Sequence, residues 1–332
     1  MKTPRFWYPP AKNPDRLSVV LPNLLAPLSW GFAAAGGVRR LVATPFRPQI
    51  PVICVGNVVA GGAGKTPVAL ALAGLFRDYG EKPVFVTRGY GGNGENIHVE
   101  PQRHHAEEVG DEALLLAAAA PTWAGSDRKI SMLQAQAHGT CIIMDDGMQN
   151  PFFAPTASLL VVDGETGLGN GHMMPAGPLR ESFGAAVRRA AAMIIIGRDK
   201  HRLAAQSRKY KRVPVFQAHI RPAMPVGNVR KGKFIAFAGI ARPEKFYQTA
   251  KTLKLNIVGT ADFPDHHLYT QTDIDALRLR AEEQGARLLT TEKDAVRLPP
   301  DFRAETVILP IHLAFEAEDA GEKLVRLCLG LV

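Results

Sequence analysis

Residues 51–73 read PVICVGNVVAGGAGKTPVALALA, and no other stretch constrains the fold as tightly. Val52 to Val55 form a short apolar, β-branched run, the pattern of a buried strand. A glycine-rich loop follows from Gly56 to Gly64, then Lys65 and Thr66, then an Ala- and Leu-rich run from Pro67 to Phe76 that predicts a helix. Strand, glycine loop, Lys-Thr and helix together make a phosphate cradle. Glycines let backbone N–H groups approach phosphate oxygens with no Cβ in the way. The helix N-terminus adds partial positive charge. In such a loop Lys65 reaches the β/γ-phosphates and the Thr66 hydroxyl can ligate Mg²⁺. The usual spacing asks for glycine at 59, where this chain has Val59, followed by Ala60, Gly61, Gly62, Ala63 and Gly64.

At 332 residues and 46% hydrophobic composition, the chain has material for about two globular domains. Cys54, Cys141 and Cys328 are far apart in apolar runs, which reads as buried thiols and not as a disulfide frame or metal site. The net charge of +9 is unevenly placed, since residues 1–50 alone hold seven bases and one acid. A basic end favours an anionic surface there over a nucleic-acid groove across the whole molecule. Leu17 to Val38 carries no charge, but Pro22, Asn23, Pro27, Ser29, Gly36 and Gly37 argue against a simple spanning helix. We expect it to lie in a membrane interface, with Trp30 and Phe32 inserted.

Pro83–Val86 predicts a second strand leading into Thr87-Arg88-Gly89-Tyr90-Gly91-Gly92. In an open α/β sheet, ligands sit beyond the carboxyl ends of strands, which makes Arg88 and Tyr90 candidates for nucleotide or acceptor contact. Asp111 opens a helix predicted over 113–120. It suits either a helix-terminus acid or a proton-accepting carboxylate. Cys141–Met144 predicts a strand tipped by Asp145 and Asp146, the position of a Mg²⁺-orienting carboxylate, with Gln149 just beyond. A long irregular segment ends in Arg180, a candidate phosphate contact, and Glu181, a candidate metal ligand. Residues 213–232, rich in proline and glycine, read as a connection. After them strands and helices alternate again, with Asp265, His266 and His267 in one loop and Glu292, Lys293 and Asp294 in another.

The order VGNVVAGGAGKTP (55–67), TRGYGG (87–92), VGDE (109–112), DDGMQ (145–149), AGPLRE (176–181), FAGIARPEKF (237–246), FPDHH (263–267) and TTEKDAVR (290–297) resembles the tetraacyldisaccharide 4′-kinase family. That family's own loop lacks the glycine at 59. The resemblance implies an α/β protein with a P-loop NTPase-type, mostly parallel sheet, helices on both faces, and a smaller second α/β domain. Divided along the chain, this is a membrane-associated segment over 1–45, a kinase domain over 46–212, the connection, and a smaller domain over 233–332. It implies transfer of the ATP γ-phosphate to the 4′-hydroxyl of a tetraacylated disaccharide 1-phosphate, with Mg²⁺, at the cytoplasmic face of the inner membrane. No nucleic acid and no obligate protein partner are implied. It makes Asp111 the base, with His266 from the second domain brought to it by closure, and assigns the cradle residues Val59 to Thr66 to the nucleotide. Thr66, Asp145 or Asp146, and Glu181 go to the metal, and Arg88, Tyr90, Gln149 and Arg180 to substrate. A membrane-bound nucleotide switch of the partitioning-ATPase type is disfavoured because Ala60 stands where such loops carry a lysine. A small-metabolite kinase would leave the N-terminal apolar segment unexplained.

Overall fold

Near-continuous apolar runs such as Val52–Gly56 and Ala157–Asp163 form parallel strands covered on both faces, the environment such runs require. The structure, a computed structural model, describes residues 4–10, 15–225 and 232–331. The chain folds into two compact units: Met1–Thr87 with Asp127–His219 and Leu313–Val332, and Arg88–Ser126 with Ile220–His312.

In the first unit six strands pair in parallel in the order Val215–Pro222, Ala192–Ile196, Ala157–Asp163, Val52–Gly56, Cys141–Asp145 and Pro83–Thr87. The central strand Val52–Gly56 therefore has later strands on both sides, the arrangement that opens a crevice beyond its carboxyl end. Its register pairs Val55 with Asp145. The helix Lys65–Asp78 follows the loop, with Val68, Ala69, Leu72, Ala73 and Phe76 buried. All three cysteines are buried and unbridged, and burial pushes each thiol up to about 12.

The N-terminal segment is one helix, Arg16–Val42, with Pro22 and Pro27 inside it. The Asp15 carboxylate caps it by accepting from the Ser18 amide at 2.9 Å. Ser29 Oγ donates to the Met173 carbonyl at 2.8 Å and accepts from the Ala176 amide at 3.2 Å, anchoring one face. Leu17, Leu24, Leu28, Trp30 and Leu41 are exposed. By length and composition the helix is sufficient to cross a membrane. Lys2 and Lys12 of the basic end lie outside the described residues.

The second unit has four parallel strands in the order Asn256–Asp262, Lys233–Ala238, Arg287–Thr291, Val307–Leu309. Alternation along Lys233–Ala238 builds two cores. Phe234, Ala236 and Ala238 pack with Phe246 and Ala250 of the helix Pro243–Thr252. Ile235 and Phe237 pack with Ile274, Leu277 and Ala281 of the helix Gln271–Glu283. The chain divides differently from the expected 46–212 and 233–332. Residues 88–126 join the second unit because Val99, Ala106, Val109, Ala113, Leu114 and Ala124 form a core against which Val296 packs. Residues 313–332 return to the first unit. Within the expected connection Val215–Pro222 is a strand, and residues 226–231 lie outside the described residues.

Gly110 adopts φ +86°, and a Cβ there would stand 2.4 Å from the Tyr90 carbonyl oxygen. Gly110→Ala is expected to lower unfolding free energy by about 2 kcal/mol or more, read from denaturant unfolding.

Candidate functional site

The cradle is built by geometry that only its sequence permits. Gly61 and Gly64 sit at φ +113° and +81°, and Gly64 is the N-cap of the following helix. A Cβ on Gly62 would meet nothing within 4 Å, so bare backbone there leaves room for a ligand to approach. Among the described residues, no protein acceptor is bonded to the amides from Gly61 to Thr66. Six unsatisfied amides at a helix N-terminus make an anion site.

The upstream half of the loop is fixed instead by the segment 178–180. Val59 bridges Leu179 in antiparallel fashion, the Ala60 amide donates to the Pro178 carbonyl at 2.7 Å, and the Arg180 amide donates to the Val58 carbonyl at 2.7 Å. The Ala60 amide is thus engaged by this scaffold. Fully buried Asn57 ties the rest together. Its side chain donates to the Gly61 carbonyl at 3.3 Å and accepts from Lys65 Nζ at 3.5 Å. Its carbonyl accepts from Gln149 Nε2 at 2.7 Å.

The two aspartates at the strand tip have different environments. Asp145 is buried, and its Oδ2 accepts from the Thr66 hydroxyl at 2.9 Å. Asp146 turns into the left-handed region at φ +57° and presents its carboxylate to cations. Arg180 Nη1 donates to both of its oxygens, at 2.9 and 3.0 Å, and Lys65 Nζ lies at 3.7 Å. Burial works against the charged form of Asp146, but Lys65 and then Arg180 outweigh it and hold the carboxyl below its ordinary range. Arg180 thus engages Asp146 through Nη1.

Glu181 and Gln149 bond to each other in the same scaffold. The buried Glu181 carboxylate accepts from Arg189 at 2.6 and 2.7 Å, from Arg40 at 3.1 Å and from Gln149 at 3.0 Å. Two guanidinia neutralise it, which makes it a link between the N-terminal helix and the loop scaffold, and the Gln149 amide is spent on that scaffold. Among the described residues no group of three or more His, Cys, Asp or Glu side chains could hold a metal by itself.

The second unit carries a preassembled acid–imidazole pair. His266 Nδ1 lies 2.9 Å from Asp111 Oδ2, and Asp111 is buried at the start of the helix Asp111–Ala117. Both residues belong to the same unit, so the pair needs no domain closure to form, contrary to expectation. His266 sits at φ +60°, a conformation held by its surroundings. Its amide donates to the Gly239 carbonyl at 3.1 Å. Its neighbour His267 stacks on Phe263 with ring centroids 4.8 Å apart and bonds Asp273 at 3.0 Å, a structural role. The hydrogen bond to Asp111 raises the His266 pKa, opposed by burial and by Lys293. The exposed Tyr90 ring lies 6.2 Å from the His266 ring, and Arg88 is exposed in the same glycine loop.

Arg297 and Lys293 complete this cluster and were assigned no role from sequence. The Arg297 guanidinium is fully buried. It reaches Asp111 Oδ2 at 3.3 Å, Asp294 at 2.8 Å, and the carbonyls of His267, Gly239 and Lys293. Asp294 also accepts from the Gly239 amide and the Tyr269 hydroxyl. The signal for both residues was the TTEKDAVR string, with Lys293 and Arg297 one helical turn apart.

A parallel sheet with a glycine loop of free amides and a Lys-Thr helix start defines a P-loop NTPase-type α/β protein. Comparison with known proteins narrows this: residues 21–328 match the model of the family described as tetraacyldisaccharide-1-P 4′-kinase, and the chain belongs to that family. A tetraacyldisaccharide 4′-kinase of Parvibaculum lavamentivorans is 51% identical over 302 residues, 90% of this chain and 87% of that protein. One from Paramagnetospirillum magneticum is 44% identical over 96% of this chain and 95% of its own length. Among solved structures, LpxK from Aquifex aeolicus in complex with ATP superposes with a TM-score of 0.76 at 24% identity, covering 93% of this chain and 99% of that one. That likeness bears on the fold.

Proposed function

We propose that the protein is an ATP-dependent kinase. It moves the γ-phosphate of ATP to the 4′-hydroxyl of a tetraacyldisaccharide 1-phosphate, a step of lipid A biosynthesis that forms lipid IVA. Beyond family membership, the observation that carries the reading is the row of unbonded amides from Gly61 to Thr66 around Lys65. Phosphoryl transfer depends mostly on positioning and charge stabilisation, and this loop supplies both. The amides hold the β/γ-phosphates and Lys65 neutralises their charge. Asp146 and Arg180 hold the Lys65 ammonium in an ionic network, and Asn57 orients it.

Asp111 accepts the proton of the attacking 4′-hydroxyl, and His266 holds its Oδ2 so that the other oxygen is available. Among the described residues no protein group is bonded to Asp111 Oδ1. Tyr90, its ring 6.2 Å from that of His266, and Arg88, exposed in the same loop, are the proposed acceptor contacts.

The residues fit Mg²⁺. Thr66 and Asp145 offer a hydroxyl and a carboxylate, hard oxygen donors 2.9 Å apart beside the loop. Mg²⁺ is commonly held by one or two carboxylates together with substrate phosphates and water. Asp145 is the proposed metal-side aspartate, because Asp146 is occupied by Arg180 and Lys65. When bound, the ion would offset charge on the phosphate oxygens.

The acceptor is a lipid, and the exposed apolar helix Arg16–Val42 is the proposed membrane contact, at the cytoplasmic face of the inner membrane where ATP is available. Leu24→Glu with Leu28→Glu alters two exposed side chains and is expected to weaken sedimentation with anionic vesicles at least about tenfold, leaving ATP binding unchanged.

The function is tested by incubating the protein with γ-labelled ATP and purified lipid disaccharide 1-phosphate, and locating the new phosphate by mass spectrometry. Label on the 4′-oxygen is expected. ATP hydrolysis without lipid labelling, or equal transfer to an acyl-free sugar, would contradict the assignment.

A further inference from the structure

Lys293 is the residue whose chemistry reaches furthest. Its Nζ lies 3.3 Å from His266 Nε2 and 3.0 Å from Glu112 Oε1. Glu112 adjoins Asp111 on the same helix, so the carboxylate that anchors the ammonium is positioned by the element that carries the proposed base. A lysine ammonium has three donors and no acceptor. A nitrogen within hydrogen-bonding reach of it must therefore offer a lone pair.

We infer that Lys293 keeps His266 a neutral imidazole by requiring a lone pair on Nε2. Asp111 Oδ2, an acceptor only, holds the ring proton on Nδ1, and Lys293, a donor only, keeps a second proton off Nε2, so that the neutral imidazole donates to Asp111. The inference rests on reading Asp111 as the base, and it makes Lys293 a positioning residue acting through His266. Without the lysine, the carboxylate would favour the imidazolium, and a full ion pair would hold Asp111 back from accepting the substrate proton. The histidine is thus balanced between opposing charges. Asp111 favours its protonation and Lys293 opposes it. The other charged groups facing it are Glu112, Asp265, whose Oδ1 is 4.0 Å from Nε2 and beyond hydrogen-bonding reach, and Arg297, which sits behind Asp111. Both His266 and Arg297 engage Oδ2 of Asp111, so the orientation that Lys293 imposes on the ring also decides which carboxylate oxygen is left for the substrate.

The test is ¹⁵N NMR of the full chain with labelled histidine, the His266 signals being assigned among the ten histidines by their loss in His266→Asn. On the alkaline side of its titration the wild-type ring is expected to show a pyrrole-type Nδ1 and a pyridine-type Nε2. In Lys293→Met the imidazolium form persists to higher pH, because the charge that opposed protonation is gone. The acid limb of the kcat profile moves the same way, giving about tenfold lower kcat at its acid end with KM for ATP and lipid acceptor unchanged. Lys293→Arg, still donor-only, restores both. A wild-type ring protonated on Nε2 would overturn the inference, as would a Lys293→Met protein with unchanged signals and limb. Lys293→Ala, read by the same signals, carries the comparison if Lys293→Met folds poorly. Normal turnover by Asp111→Asn would sink the reading of the base instead, and leaves the spectroscopic outcome to be judged separately.

Discussion

Lys65→Ala is expected to lower kcat at least about a thousandfold, roughly 4 kcal/mol of transition-state stabilisation. The ammonium is mostly buried, 3.5 Å from Asn57 Oδ1 and 3.7 Å from Asp146. Its removal takes away the cation next to the free amides, so charge developing on the transferred group loses its closest protein counter-charge. Asp146 keeps its two bonds from Arg180, and the helix keeps its buried face, so the fold should survive. Single-turnover transfer at saturating ATP reads the chemical step, and the thermal midpoint reports the fold. Turnover within tenfold of wild type would remove Lys65 from the reaction.

Asp111→Asn is the second large effect, an expected loss of about 10²- to 10⁴-fold in kcat, the range for a lost general base. Asparagine keeps the shape and an oxygen for His266 but cannot take the proton. The substitution also removes a charge 3.3 Å from the buried Arg297, which retains Asp294 at 2.8 Å. Leaving part of that pairing unmade costs about 1–3 kcal/mol of stability, so activity should be measured well below the unfolding transition. Affinity for nucleotide and lipid should be little changed. If kcat stays within a few-fold while both substrates bind, another group takes the proton.

The cradle was legible in the sequence because every part of it is local. Buried parallel strands read as unbroken apolar runs, and the glycines, Lys65 and Thr66 lie within a few residues of the strand they follow. The strand tip at Asp145 was legible for the same reason. The Asp111–His266 pair spans 155 positions and came only from the resemblance to a family. What local pattern did not carry is what depends on distant packing. Glu181 has the chemistry of a metal ligand, but Arg40 and Arg189 neutralise it, and nothing near it in the chain announces either partner. Residues 88–126 follow a strand of the first unit yet bury their apolar side chains in the second. Pro22 and Pro27 argued against a simple spanning helix, and whether the segment would form one continuous helix was not legible; the structure forms Arg16–Val42 through both prolines. Arg297 was assigned no role from sequence, because its five contacts are made by side chains and carbonyls brought together only by the fold.

The central claim is that the backbone between Gly61 and Thr66, together with Lys65, grips the phosphate tail of ATP. A crystal structure of the protein with a non-hydrolysable ATP analogue tests it most directly. The predicted result is β- and γ-phosphate oxygens within hydrogen-bonding distance of those amides and of Lys65 Nζ. An analogue bound elsewhere, with the loop amides facing only water, would contradict the account.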